Sequence, residues 1–468
     1  MLYTSTRNNQ INKSYDNVLL EGLSSDGGLF IPKLFPSFSY KELQKMASMD
    51  YITLAASIME KFTGDNLNFD SLLQMCEVTY SKFNNKEISP IRKISDNDYL
   101  LELFHGPTLA FKDYAMQYLA RDFERAIKNN NNKALILGAT SGDTGSAALN
   151  AFAGNSNIDI FILFPRGRVS PIQEAQMTSV IEDGAHAIQV DGDFDQCQAI
   201  VKEIFSDISF RERVNLSAIN SINWARLMPQ IVYYFYSAFK LGSPDQKVSF
   251  SVPTGNFGNI YAGWCASKLG LPIDRLICAS NRNNILTRFF KTGEMERRVV
   301  EQSLSPSMDI QVSSNFERLL YDIYNEDSIM VKSSLESFNS YGKFEIKNSS
   351  LNKLSDFFSS YYLSDEGILN EIKRIYEKTK ILIDPHTACG TYAALKSREN
   401  CEVDTSTPII TLACAHPSKF PDAVKRSVNL EPKLPEILKG LLKKPTNSLY
   451  APSDSSTIKS LIEGYRRV

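Results

Sequence analysis

Residues 133–165 read KALILGATSGDTGSAALNAFAGNSNIDIFILFP. A short apolar run over 133–137 leads into a glycine-rich turn, and 146–152 then carries the small residues of a closely packed helix. A second apolar run over 158–164 follows and is ended by PRGR. Strand, turn, helix and strand in this order imply a right-handed crossover and a parallel sheet. The rhythm continues with a predicted helix over 171–181, a strand over 185–190 and a helix over 193–205. A long predicted helix, 224–240, leads to a strand over 247–252, the turn PTGNFGN, a helix over 261–269 and a strand over 275–279. The fold class is therefore α/β.

Outward from this centre the pattern changes. Residues 1–95 mix short apolar segments with Asn-, Ser- and Asp-rich connections, with helices predicted over 40–61 and 69–83 and a strand next, over 99–103. Beyond about 285 the rhythm loosens, with helices over 313–324 and 366–378 and a buried strand over 408–413. The serine-rich SSLESFNSYG reads as an insertion rather than a linker.

Composition narrows the function classes. The 468 residues carry 51 Lys+Arg against 53 Asp+Glu, a net charge of -2, so no basic face for nucleic acid is announced. With 22% charged and 11% aromatic residues the chain has the makings of a core, not of disorder. The seven cysteines (76, 197, 265, 278, 389, 401, 414) form no C-x-x-C pair and read as reduced thiols. The four histidines (105, 186, 386, 416) show no zinc spacing, so no metal site is expected. The opening 17 residues lack the apolar core of a signal peptide, and no apolar run reaches the roughly 20 residues of a membrane span. The expectation is a cytoplasmic protein, monomeric or a small homo-oligomer, acting on a small molecule.

Two loops stand where backbone N–H groups and a helix N-terminus make an anion site. GATSGDTG (138–145) departs from G-x-G-x-x-G and lacks the lysine of a phosphate-binding P-loop, as does TGNFGN (254–259). Either loop alone is equally well a tight turn between strand and helix. In LFHGPTLAFKDYA (103–115), Gly106-Pro107 ends a strand and Thr108 can cap a helix beginning near Leu109. Lys112 then lies among Leu109, Phe111, Met116 and Tyr118, surroundings that favour a neutral nucleophile. The same residues also permit a lysine lying along apolar surface with its charge in water beside Asp113.

FHGPTLAFKDYA resembles the cofactor-lysine segment of the threonine synthase family, fold-type II enzymes dependent on pyridoxal phosphate (PLP). EGLSSDGGLFIP (21–32), ATSGDTGSAA, SINWARLMPQIVYYFYS (221–237), SVPTGNFGN and AHPSKF (415–420) follow in the family's order, so the resemblance covers about residues 1–430. It implies two doubly wound α/β lobes, like the β subunit of tryptophan synthase, plus an N-terminal mixed, mainly helical domain. The domains would be 1–95, a cofactor-lysine segment 96–129 of the large lobe, a small lobe 130–222, the rest of the large lobe 223–430, and a C-terminal extension 431–468.

Residue by residue, Lys112 matches the lysine that binds PLP covalently, with Phe111 near the ring. Gly255, Asn256, Phe257, Gly258 and Asn259 match the cofactor-phosphate cradle. Thr140, Ser141, Asp143 and Thr144 match the loop that grips the substrate carboxylate, and Asn281 and His105 are further substrate contacts. In one respect the chain departs from the family, which has Thr or Ser facing the pyridine nitrogen. Cys414 stands at that position, with Thr411 three residues earlier as the outside candidate. A thiol is the weaker hydrogen-bond donor. Arg166 and Arg168 could hold a substrate phosphate or lie solvated on the surface, and His386 could approach the site or pack in the core. The implied activity is that of a lyase of amino-acid biosynthesis, converting O-phospho-L-homoserine and water to L-threonine and phosphate, with Lys112 as general acid and base. A related phospholyase, a hydroxyamino-acid dehydratase, or a catalytically silent PLP-binding protein would use the same lysine and loops.

Overall fold

The apolar run at 158–165 forms a strand, Ile158–Pro165, in which all eight residues are buried. Burial on both faces is what a central parallel strand requires, and the strand lies in the middle of a five-stranded parallel sheet. The order of that sheet is Leu449–Ala451, Ala185–Val190, Ile158–Pro165, Ala134–Ala139 and Leu216–Ser217. A computed structural model describes residues 1–129, 133–217 and 219–467. The expected start of the small lobe, residue 130, lies outside the described residues.

A second sheet has six strands, in the order Phe358–Tyr362, Ile273–Ser280, Val248–Pro253, Ile409–Ala413, Asp98–Glu102 and Ile91–Lys93. Only the last pair is antiparallel. In an open α/β sheet, ligands bind beyond the carboxyl ends of the strands. Here the neighbouring strands Val248–Pro253, Ile409–Ala413 and Asp98–Glu102 deliver the 254–259 loop, Cys414 and the lysine segment to one such end.

The helix Trp224–Lys240 follows its sequence signal to the residue, and every side chain from Trp224 to Phe239 is buried. It packs on helices Tyr51–Thr63, Lys112–Asn129 and Gly258–Lys268, joining the N-terminal region to the large sheet. Tyr233, Tyr234 and Tyr236 are core residues here, as their helical spacing suggests. The N-terminal region adds a small antiparallel sheet, Asn8–Lys13, Tyr3–Ser5 and Phe30–Pro32. Its helices are pinned by side-chain caps, Asp50 accepting from the Thr53 N–H and Asn68 from that of Ser71.

Several elements differ from expectation for local reasons. The helix read over 40–61 is two, Tyr40–Met46 and Tyr51–Thr63, because Asp50 starts a new one. SSLESFNSYG belongs to a regular helix, Ser328–Tyr341, ended by Gly342 in the left-handed conformation at φ 75°. The segment set apart as an extension, 431–468, supplies the edge strand Leu449–Ala451 and the helix Ser455–Tyr465 to the small sheet's lobe. Ile91–Lys93, read as N-terminal, already belongs to the large sheet. Among the described residues no helix is long and apolar enough to cross a membrane.

Candidate active site

The strand Asp98–Glu102 runs into the lysine segment through a tight bend. Thr108 does not cap a helix at Leu109. Its hydroxyl and N–H both donate to Asp113, at 2.6 and 2.8 Å, closing the bend on itself. Leu109 adopts a left-handed backbone at φ 59°, uncommon for a branched residue. Gly106 is required, since a Cβ there would come within 2.5 Å of the Asp113 side chain. Burial pushes the Asp113 carboxyl up to about 6, against the pull of its Thr108 bonds and of Lys419. The bend is also stitched to the chain after strand Ile409–Ala413, with the Phe111 N–H donating to the Cys414 carbonyl at 2.9 Å and the His416 N–H to that of Leu109 at 3.0 Å. The helix therefore begins three residues later than expected, at Lys112 itself.

Lys112 is 8% exposed and does not reach solvent beside Asp113. Its Nζ lies 3.2 Å from Asp143 Oδ2, 3.5 Å from the Ser307 hydroxyl and 4.6 Å from the Phe111 ring centre. The surroundings are thus not simply apolar: a carboxylate faces the amine. Asp143 opens the helix Asp143–Phe152, so it reaches across from the lobe of the smaller sheet. Its Oδ1 accepts from Lys419 Nζ at 2.8 Å and from Gln173 Nε2 at 2.8 Å. Burial alone would raise the Asp143 carboxyl, but Lys419 and then Lys112 hold it well below the usual carboxylate range. Lys419 is wholly buried and also donates to the Thr108 carbonyl at 2.7 Å. One carboxylate is thus shared by two buried lysines.

The 254–259 loop has the build of an anion cradle. Phe257 takes a left-handed φ of 64° and ends the loop at the start of helix Gly258–Lys268. Among the described residues, no acceptor takes the N–H groups of Asn256, Phe257, Gly258 or Asn259. Four free donors at a helix N-terminus fit a phosphate. The loop is braced from behind, with the Ser313 hydroxyl donating to the Gly255 carbonyl at 2.6 Å and the Asn315 N–H to that of Asn256 at 3.0 Å. Gly255 has no room for a side chain: a Cβ would meet the Ser307 carbonyl at 2.6 Å. The Asn259 side chain accepts from the Tyr233 and Tyr234 hydroxyls at 2.6 and 3.1 Å, while its buried Nδ2 has no partner among the described residues. A buried primary amine beside such a cradle fits PLP, an aldehyde carrying a phosphate.

In the 138–145 loop, Thr140 is buried and turned inward, its hydroxyl accepting from the Gly142 and Gly145 N–H groups at 3.0 and 2.9 Å. It shapes the loop. The N–H groups of Ser141, Asp143 and Thr144 have no acceptor among the described residues.

The remaining expected residues divide. Cys414 is buried next to the lysine segment, its Sγ 3.6 Å from the Leu412 carbonyl, and burial pushes its thiol well up. Thr411 is displaced from the site: it faces Gly390, whose Cβ would come 2.8 Å from its methyl. Side chains alternate along a strand, so Thr411 and Cys414 lie on opposite faces. Asn281 is not open to substrate either. Its Nδ2 is committed to Ser303, Ser305 and Asp309, and its Oδ1 to the Asn283 N–H, an arrangement that fastens the 303–309 segment. His105, half-buried, pairs with Glu102 at 2.9 Å and lies beside Phe104. Arg166 and Arg168 are exposed, Arg166 lying 3.6 Å from Asp191 and over the Tyr450 ring. The sequence by itself marks none of Lys419, Gln173, Ser307 and Asp384 as site residues, and leaves His386 between the site and the core. Lys419 lies within AHPSKF and His386 within ILIDPHTACG, but nothing in the sequence links them to Asp143 or Ser307.

Comparison with known proteins identifies the family. Family models described as "Threonine synthase N terminus", "Pyridoxal-phosphate dependent enzyme" and "Threonine synthase, C-terminal" match residues 2–80, 94–339 and 387–462. The threonine synthase of Pseudomonas aeruginosa is 41% identical over 99% of this chain and 98% of its own, and that of Saccharomyces cerevisiae 39% identical over 99% and 97%. The crystal structure of PLP-bound threonine synthase from Brucella melitensis covers 100% of both chains at 42% identity with a TM-score of 0.96. That from Escherichia coli covers 100% of both at 30% identity and 0.85. The chain, with its buried Lys112 between two donor-rich loops, belongs to the threonine synthase family of fold-type II, PLP-dependent enzymes.

Proposed function

We propose that this chain converts O-phospho-L-homoserine and water to L-threonine and phosphate, a step of amino-acid biosynthesis in the cytoplasm. The observation that carries the reading is the buried Lys112 amine set between two loops whose N–H groups are free to bind anions. The cofactor brings a phosphate and the substrate a carboxylate, and the two loops offer one set of donors for each.

When bound, PLP supplies an electron sink for negative charge developing on the substrate carbons. The protein's part is to bind, orient and move protons. Gly255 to Asn259 would hold the cofactor phosphate through their N–H groups, with Phe111 near the ring and Cys414 toward the pyridine nitrogen. Ser141, Asp143 and Thr144 would present N–H groups to the substrate carboxylate, in a loop shaped by Thr140. Lys112 would take and return protons at Cα and Cβ as general acid and base. Asp143 steadies that amine, and because Lys419 shares the carboxylate, Asp143 keeps a counter-charge when Lys112 is engaged. The roles divide the chain into a helical N-terminal domain, a large lobe carrying Lys112 and the phosphate loop, and a small lobe carrying the carboxylate loop and completed by 449–465.

Phosphate and threonine release from O-phospho-L-homoserine tests this reading, with Lys112→Ala as the control. The PLP-loaded protein should release both in equal amounts and the variant neither. PLP binding without turnover by the unaltered chain would refute it.

A further inference from the structure

The segment 303–315 carries no motif, yet it touches both halves of the cofactor site. Its Ser307 carbonyl packs against Gly255, and its Ser307 hydroxyl lies 3.5 Å from Lys112 Nζ. What fixes Ser307 comes from a different element. Its backbone N–H donates to His386 Nε2 at 3.2 Å. A backbone N–H can only donate, so Nε2 is the bare nitrogen and the proton sits on Nδ1. Nδ1 in turn donates to Asp384 Oδ2 at 2.7 Å. Asp384 is fully buried and is itself held by capping helix Pro385–Glu399, accepting from the His386 and Thr387 N–H groups at 3.0 and 3.2 Å. The Phe420 ring closes over the imidazole at 5.0 Å. The imidazole therefore grips the Ser307 main chain and leaves the hydroxyl free to rotate.

That freedom matters for chemistry. Asp143 can only accept a hydrogen bond from Lys112, whereas a serine hydroxyl accepts from an ammonium and donates to the lone pair of a neutral amine. We propose that Ser307 is a further catalytic residue, bonded to the Lys112 amine in both of its protonation states, and that His386, set by Asp384, is the positioning residue that holds it there. The inference rests on Lys112 being the working amine of the proposed function.

The test follows two signals, the visible band that appears when PLP is added to the apo protein, and steady-state turnover of O-phospho-L-homoserine. Ser307→Ala should slow the band and lower kcat about tenfold each, with KM and the apo melting temperature unchanged. Ser307→Thr should restore most of both. His386→Leu, which removes the acceptor, should reproduce the Ser307→Ala band kinetics, and His386→Gln, which keeps an acceptor near the Nε2 position, should recover them. Band kinetics and kcat within about twofold of the unaltered protein in Ser307→Ala would overturn the proposal. A His386→Leu variant that melts earlier but captures PLP at the normal rate would overturn the positioning role. Because PLP capture needs no substrate, Ser307 is tested even where the substrate reading fails.

Discussion

Asp143 is the one carboxylate shared by two buried lysines, and removing its charge gives a quantitative test. In Asp143→Asn, three N–H donors (Lys112, Lys419 and Gln173) converge on a side chain with one carbonyl oxygen and an NH₂ group. Lys419 then loses its ion-pair partner, in a site from which it cannot reach water. Breaking a buried pair by deleting one partner costs ~3–5 kcal/mol. The lower end applies here, because Asn keeps one acceptor, and ~3 kcal/mol is a change of about 150-fold in the folding equilibrium. Lys419→Met should cost ~2 kcal/mol, less because Asp143 keeps Lys112 and Gln173. The double variant is decisive. Deleting both charges removes the unpaired cation, so its cost should fall at least ~1.5 kcal/mol short of the sum of the two single costs. Urea unfolding of the apo protein, followed by tryptophan fluorescence and circular dichroism, gives all three numbers. Additive single costs would refute the claim that Lys419 and Asp143 stabilise one another, whatever the activity of the variants.

Other outcomes follow from the same geometry. Lys112→Ala should lose the visible band of lysine-bound PLP, read by absorbance of the dialysed protein. Cys414→Thr restores a hydroxyl at a buried position and should leave turnover intact or raise it; complete loss would show that Cys414 has another role. Burial pushes His416 down to about 4 from 6.5, with His105 adding repulsion, and its Nδ1 already accepts the Ser418 N–H. A histidine held neutral in the fold contributes stability that is complete above 6.5 and lost as pH falls toward 4, about 3 kcal/mol in all. His416→Asn should flatten the stability profile of the apo protein across that window, measured by urea midpoints at a series of pH values.

The layered part of the fold was legible because its signals are local. Ile158–Pro165 is apolar throughout, and only a strand buried on both faces uses such a run beside glycine-rich turns. Trp224–Lys240 is a long apolar segment, helical despite Pro229 in its second turn. The two loops and Lys112 could be singled out because their residue types limit their chemistry. The errors arise where distant residues decide. The start of the helix at Lys112 depends on Asp113 closing back on Thr108 and on the bridge to Cys414, and capping preference at Thr108 contains neither. Asn281 looked polar and available, but 303–309 consumes its amide. Lys419 and Asp143 are 276 positions apart in the chain, and no spacing rule connects them. Thr411 needed only the strand register, which Ile409–Ala413 settles by pairing with Asp98–Glu102.

The last strand and helix of the small lobe bear on how the chain is made. Ala185–Val190 finds its outer neighbour only in Leu449–Ala451, and Ile458 and Ile462 fill the same apolar cluster as Leu163 and Ile188. Arg467 then clasps Asp159, which is buried in the central strand 308 positions earlier. During synthesis this sheet has to wait with one edge open until residues 449–465 leave the ribosome. An open parallel edge is a template for association with other chains. A chain stopped at residue 448 would keep Lys112 and both anion loops yet present that edge to every copy of itself. Its fate in a cell would be set by aggregation and proteolysis before chemistry could count.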